Sequence, residues 1–178
     1  MLKFKIIISW ILVIIWMIII FWLSSMDSNL SNDRSKNTIN KAIETAIVTT
    51  NKIGITDKQP SEEIKSEVTD KLNGPLRKCM HAGVYLVLAI LLINALLLSS
   101  KKVFLSIIFT ILISFIYACS DEYHQTFVIG RTGKFSDVLI DTFGSILGII
   151  SYGLCNLYYK KNKNIDGYLK IKKKEKKH

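Results

Sequence analysis

Four stretches of this chain carry no lysine, arginine, aspartate or glutamate, or only one, and each is near the ~20 residues that cross the hydrocarbon core of a bilayer. They are Ile6 to Ser25, Cys79 to Ser100, Val103 to Ser120, and Val138 to Tyr159, the last with the single acid Asp141 close to its start. Apolar residues in them are concentrated rather than spread at strand or helix period. The direct reading is an all-α polytopic membrane protein with four transmembrane helices.

Lys3 and Lys5 ahead of the first block also suit a signal peptide. The apolar run exceeds the usual ~7–15-residue signal core, however, and no small-x-small cleavage site follows, so the block reads as a retained first helix. Basic residues in short flanks set orientation. Lys3 and Lys5 precede the first helix, Lys101 and Lys102 join the second to the third, and nine lysines follow the fourth with only Asp166 and Glu175 against them. All three places are expected to be cytoplasmic. The expected division is a first transmembrane helix at 1–25, an extracytoplasmic loop at 26–78, the three remaining helices at 79–159, and a basic cytoplasmic tail at 160–178.

The formal charge of +10 is therefore mostly the tail. Its lysines can meet anionic lipid at about 1 kcal/mol each. No aromatic interleaving or nucleic-acid-binding motif accompanies them, so nucleic acid is not an expected partner. Cys79, Cys119 and Cys155 lack zinc-site spacing and are an odd number, and they read as small apolar helix residues.

Within the first outer segment, Ile39, Ile43 and Ile47 recur every four residues until Gly54, and Ile64, Val68 and Leu72 repeat the pattern before Gly74-Pro75. Two short amphipathic helices are expected there, lying on the bundle or in the headgroup layer. Gly74-Pro75 is expected to break the chain, so that the second membrane helix starts near Leu76.

Chemistry concentrates at one membrane boundary. Residues 121 to 141, DEYHQTFVIGRTGKFSDVLID, place acids, a histidine, a glutamine and an arginine between two apolar blocks. Such groups cost several kcal/mol in a bilayer unless paired or hydrated, and so mark functional sites. Arg77, His81 and Tyr85, four apart, form one stripe on the second helix. Asp121 meets His124 and Gln125 if the third helix continues one turn, with Glu122 beside it. Asp137 and Asp141 stand four apart in the opening turns of the fourth, where the helix dipole favours acids. Gly130 and Gly133 permit a tight turn returning Arg131 over the site. Gly144 and Gly148 form a small-xxx-small pair suited to close helix packing. Of the three tryptophans, all in the first helix, Trp22 suits the outer interface, and Trp10 and Trp16 face lipid or core.

The run Ser120-Asp121-Glu122-x-His124-Gln125-x-Phe127-Val128-x-Gly130-Arg131-x-Gly133-x-x-x-Asp137-Val138-x-Ile140-Asp141-Thr142-x-Gly144 resembles the VanZ-like membrane proteins. Arg77-Lys78-x-x-His81-x-x-x-Tyr85 is similar to that family's second-helix motif, and Phe21-x-x-Ser24-Ser25 to the end of its first helix. Met26, Val84 and Ile129 stand where such proteins usually carry glutamine, glutamate and proline. The resemblance implies four membrane helices and, for the member that names the family, low-level resistance to lipoglycopeptides such as teicoplanin. It implies no known reaction.

Three functions are compatible with these residues. The first is a polar site at the outer face that contributes to glycopeptide resistance or envelope maintenance. Arg77 and Arg131 would bind phosphate or carboxylate there, with Tyr85 and Gln125 as further ligand contacts. The second is an enzyme acting on a lipid-linked cell-wall precursor, with His81, Asp121, Glu122, His124, Asp137 and Asp141 as candidate acids, bases or cation ligands. The third is a non-catalytic scaffold pinned by ion pairs. Partners are the bilayer, a lipid-linked precursor or lipoglycopeptide, and a second copy of the chain. No nucleophile elbow, phosphate loop or H-E-x-x-H spacing selects a reaction, and no cofactor is named by the sequence.

Overall fold

The computed structural model describes residues 1–26, 28–52, 61–129, 131 and 133–175, with side-chain surroundings except at 28–31, 50, 51 and 164–175. Gly54, Asp57, Gly130 and Thr132 lie outside the described residues. Among the described residues five helices follow one another: α1 (Leu2–Ser24), α2 (Ser28–Lys52), α3 (Glu62–Ser100), α4 (Val103–Gln125) and α5 (Phe135–Glu175). Four are long and apolar enough to cross a membrane: α1, α3, α4 and the 135–163 part of α5. Their surfaces carry large exposed side chains such as Ile11, Ile18, Phe109, Ile116 and Ile150. So large an apolar surface belongs against lipid tails.

α3 is the hub, packing on each of the other four helices. Its contact with α5 is set by two glycines. A Cβ at Gly144 would collide with the backbone carbonyl of Ala82, and one at Gly148 with that of Leu86. The two backbones therefore meet directly, as small-xxx-small pairs allow. On α4 the buried positions Ser106, Thr110, Ser114 and Ala118 recur every four residues, a stripe of small side chains that leads straight to Asp121. Polar groups join the helices where the hydrophobic effect supplies no drive between them. Trp16 Nε1 donates to Val84 O at 2.9 Å, Tyr117 Oη to Met17 O at 2.5 Å, and Asn94 Nδ2 to Ser9 Oγ at 3.3 Å. Trp10 Nε1 reaches Ser99 Oγ at 3.2 Å, while Trp22 is exposed.

The segment before the second span departs from the sequence expectation. α3 starts at an N-cap, Ser61, whose hydroxyl accepts from Ile64 N–H at 3.4 Å, with Glu62 and Glu63 in the first turn. It then continues through Gly74 and Pro75 without a break. The proline removes one i→i−4 bond, to Lys71, on an exposed face where water can replace it, and helix on both sides holds the register. The second short amphipathic helix is thus the N-terminal part of a 39-residue rod. α2 is also longer than expected, starting at Ser28 rather than near Asn37.

α2 runs antiparallel along that rod. Lys36 Nζ pairs with Asp70 Oδ1 at 2.8 Å, Thr69 Oγ1 donates to Asn40 Oδ1 at 2.8 Å, and Arg77 Nη1 donates to Asn32 Oδ1 at 3.3 Å. Ile39 is buried in this interface, whereas Ile64, Val68 and Leu72 are exposed. Because an interior proline costs a helix about 3 kcal/mol, Pro75→Ala is expected to raise the melting temperature of the detergent-solubilised protein. A drop would show that the proline ring itself holds the α2–α3 arrangement.

Candidate functional site

Close approach of α3 and α5 determines what stands beside what. His81 precedes Ala82, and Asp141 lies one turn before Gly144, so the glycine contact draws an imidazole and a carboxylate together. α4 brings Asp121 to the same place at the end of its small-residue stripe. His81, Asp121 and Asp141 each offer an atom able to bind a cation, and these atoms lie within 4.8 Å of one another. Both acids are deeply buried, Asp121 3% and Asp141 1% exposed.

Gln125 Nε2 donates to Asp121 Oδ2 at 3.3 Å, the i,i+4 contact expected from the sequence. The other oxygen, Asp121 Oδ1, has no hydrogen-bond partner, nor have Asp141 Oδ1 or the Oη of the fully buried Tyr85. Buried polar atoms are nearly always paired, so three orphans in one place identify a region built for something besides packing.

A cavity of about 120 Å³, several waters in size, opens against this cluster. His81, Tyr85 and Asp121 line its inner wall, Ile20, Leu23, Met80 and Val84 give it apolar sides, and Arg34, Arg77 and Arg131 supply cationic groups. Apolar walls with a few convergent polar groups are the usual composition of a ligand site.

The remaining sequence candidates sit around this centre with other partners. Glu122 is buried, but its Oε1 accepts the Lys134 backbone N–H at 2.6 Å, anchoring the α4–α5 turn. Gly133 makes that turn possible, since a Cβ there would stand 2.9 Å from Glu122 O and 2.6 Å from the Thr126 methyl. His124 faces α1 rather than Asp121: its ring lies 4.4 Å from that of Phe21, and Nε2 is 3.1 Å from Ser25 Oγ. Asp137 stands at the start of α5 and accepts from Ser136 Oγ at 3.2 Å. The three cysteines are free thiols.

Sequence reasoning missed Arg34, Ser35 and Met26, which α2 and the end of the α1 segment bring to the cavity. A usable signal existed. The four-residue stripe Ile39, Ile43, Ile47 extends back one turn to Ser35, which is buried like Ile39.

The ion pairs Lys36–Asp70, Lys65–Glu62 and Lys71–Glu67 lie on α2 and the N-terminal part of α3.

Compared with known proteins, the chain matches the model of the family described as VanZ/LLP1 over residues 9–156, and it belongs to that family. The match runs from α1 through the membrane-spanning part of α5 and contains every residue of the cluster and cavity. No curated protein and no solved structure gives a significant match.

Proposed function

We propose that this VanZ-family membrane protein binds an anionic, lipid-linked envelope intermediate at the outer face of a bacterial cell membrane. By doing so it would reduce the action of teicoplanin-type glycopeptides. The supporting observation is the composition of the cavity, where three arginines, Arg34, Arg77 and Arg131, share the lining with the apolar side chains Ile20, Leu23, Met80 and Val84. Guanidinium groups hold phosphate or carboxylate through paired charge-assisted hydrogen bonds. Ile20, Leu23, Met80 and Val84 suit the first carbons of an attached chain. Lysine-rich flanks favour both termini in the cytoplasm, which turns the cavity end of the bundle outward.

A catalytic reading of the same site is favoured by one further observation, the imidazole and two carboxylates gathered together, of which His81 and Asp121 line the cavity, a set able to move protons or polarise a phosphoryl group. That set alone does not select hydrolysis over transfer.

Arg77 decides the binding reading. Its guanidinium lines the cavity and is only half-buried, so truncation should leave the fold intact. In a susceptible Gram-positive host, expression of the wild-type chain should raise the minimum inhibitory concentration of teicoplanin, and Arg77→Ala at equal membrane abundance should return it to the vector level. Binding of a phosphorylated polyprenyl lipid to the protein in nanodiscs should fall in parallel, by the roughly 1.5–3 kcal/mol typical of a lost charged hydrogen bond, or roughly 10- to 100-fold. Unchanged lipid binding by Arg77→Ala would end this reading.

A further inference from the structure

The structure assigns a single divalent-cation site, for Zn²⁺ or Mn²⁺, to His81 of α3, Asp121 of α4 and Asp141 of α5. Three separate helices deliver one ligand each to a shell with all ligand atoms within 4.8 Å of one another. An ion held at about 2.1 Å by each ligand spaces those ligands roughly 3–4 Å apart, so a contraction of well under a side chain's reach closes the shell.

The hydrogen bonding of the two acids points independently to the same ion. Asp121 and Asp141 are almost wholly removed from solvent, at exposures of 3% and 1%, yet each has an oxygen with no partner. Two buried carboxylates side by side cost several kcal/mol unless something cationic joins them. A divalent ion neutralises both acids and takes up the two orphan lone pairs.

The ligand set narrows the metal. Mg²⁺ and Ca²⁺ take oxygen shells, whereas an imidazole with two carboxylates suits a first-row transition ion. Gln125 supplies the outer support that metal-bound carboxylates usually have, by holding Asp121 Oδ2. Three protein ligands leave a fourth position open, and two of the three, His81 and Asp121, also line the cavity, so the open position faces the anion proposed to bind there. The site deepens the binding reading by supplying a cation for the phosphate, but it does not depend on which lipid enters.

The test uses full-length protein in nanodiscs, stripped with chelator and dialysed against ZnCl₂ or MnCl₂. Metal analysis should find about one ion per chain. Asp141→Asn and His81→Gln should weaken binding at least ~100-fold, beyond the roughly 10- to 100-fold typical of outer-shell losses, while Glu67→Gln, far along α3, should not. Mn²⁺-loaded wild type should show electron–nuclear coupling to the nitrogen of one histidine, and this readout needs no variant to fold. Wild type that retains no stoichiometric metal, or shows no histidine coupling, or an Asp141→Asn protein that binds as tightly, overturns the assignment. Loss of metal with lipid binding still dependent on Arg77 would remove the cation and leave the anion site standing; metal binding with Arg77-independent lipid would do the reverse.

Discussion

Gly144→Val is expected to abolish the function of this protein while all four spans remain in the membrane. A Cβ at Gly144 meets the Ala82 carbonyl oxygen and comes within 2.8 Å of the Ala82 carbonyl carbon and Cα, all of them backbone atoms that no rotamer change can move aside. The helices must separate, and overpacking of even adaptable cores costs about 1–3 kcal/mol. His81 and Asp141 flank this contact on their two helices, so the displacement falls directly on the pair. Gly153→Val is the matched control, because nothing lies within 4 Å of a Cβ at that position of the same helix. The expected outcome is a lower melting temperature and loss of any teicoplanin protection conferred by the wild type for Gly144→Val, with Gly153→Val like wild type. Equal behaviour of the two variants would mean that the α3–α5 contact does not hold the site.

A second large effect is expected from a smaller change. Asp141→Glu keeps the charge, and the variant should reach the membrane at wild-type abundance. The added methylene moves the carboxylate by ~1 Å, a displacement that costs ~100-fold where geometry is catalytic or coordinating. Loss of any glycopeptide resistance that the wild-type chain confers, at normal abundance, is therefore the expected result. An Asp141→Glu protein with full protection would show that only a negative charge is needed at this point, as in a helix-pinning role.

These two residues also show what is legible in the sequence. Gly144 and Asp141 stand out by residue type alone, because charge and small residues are conspicuous in an apolar block, where every polar group has to be accounted for. The four spans are legible for the same reason. The path of the chain outside them is not. Local rules at Gly74-Pro75 favour a break, but twelve residues of capped helix before Gly74 and a membrane span after Pro75 outweigh one missing hydrogen bond. The long reach of α2 is hidden because its first turns are polar, and its buried serine at position 35 carries no hydrophobic signal. His124 stands three residues after Asp121 and satisfies the helical spacing rule, yet Phe21 and Ser25 of the α1 end offer its ring a better contact, and spacing along one helix says nothing of a neighbouring helix.

The uninterrupted α3 has mechanical meaning. At 1.5 Å per residue its 39 residues extend about 58 Å, nearly twice the ~30 Å of hydrocarbon, so much of the helix stands clear of the membrane. That projecting length is clasped by α2 through Lys36–Asp70 and Thr69–Asn40, and it carries His81 on the same backbone some 20 residues, or about 30 Å, below Ser61. A flexible joint at Pro75 would isolate the two ends. A continuous helix instead joins the α2–α3 hairpin rigidly to the turn that holds both His81 and the glycine contact with α5.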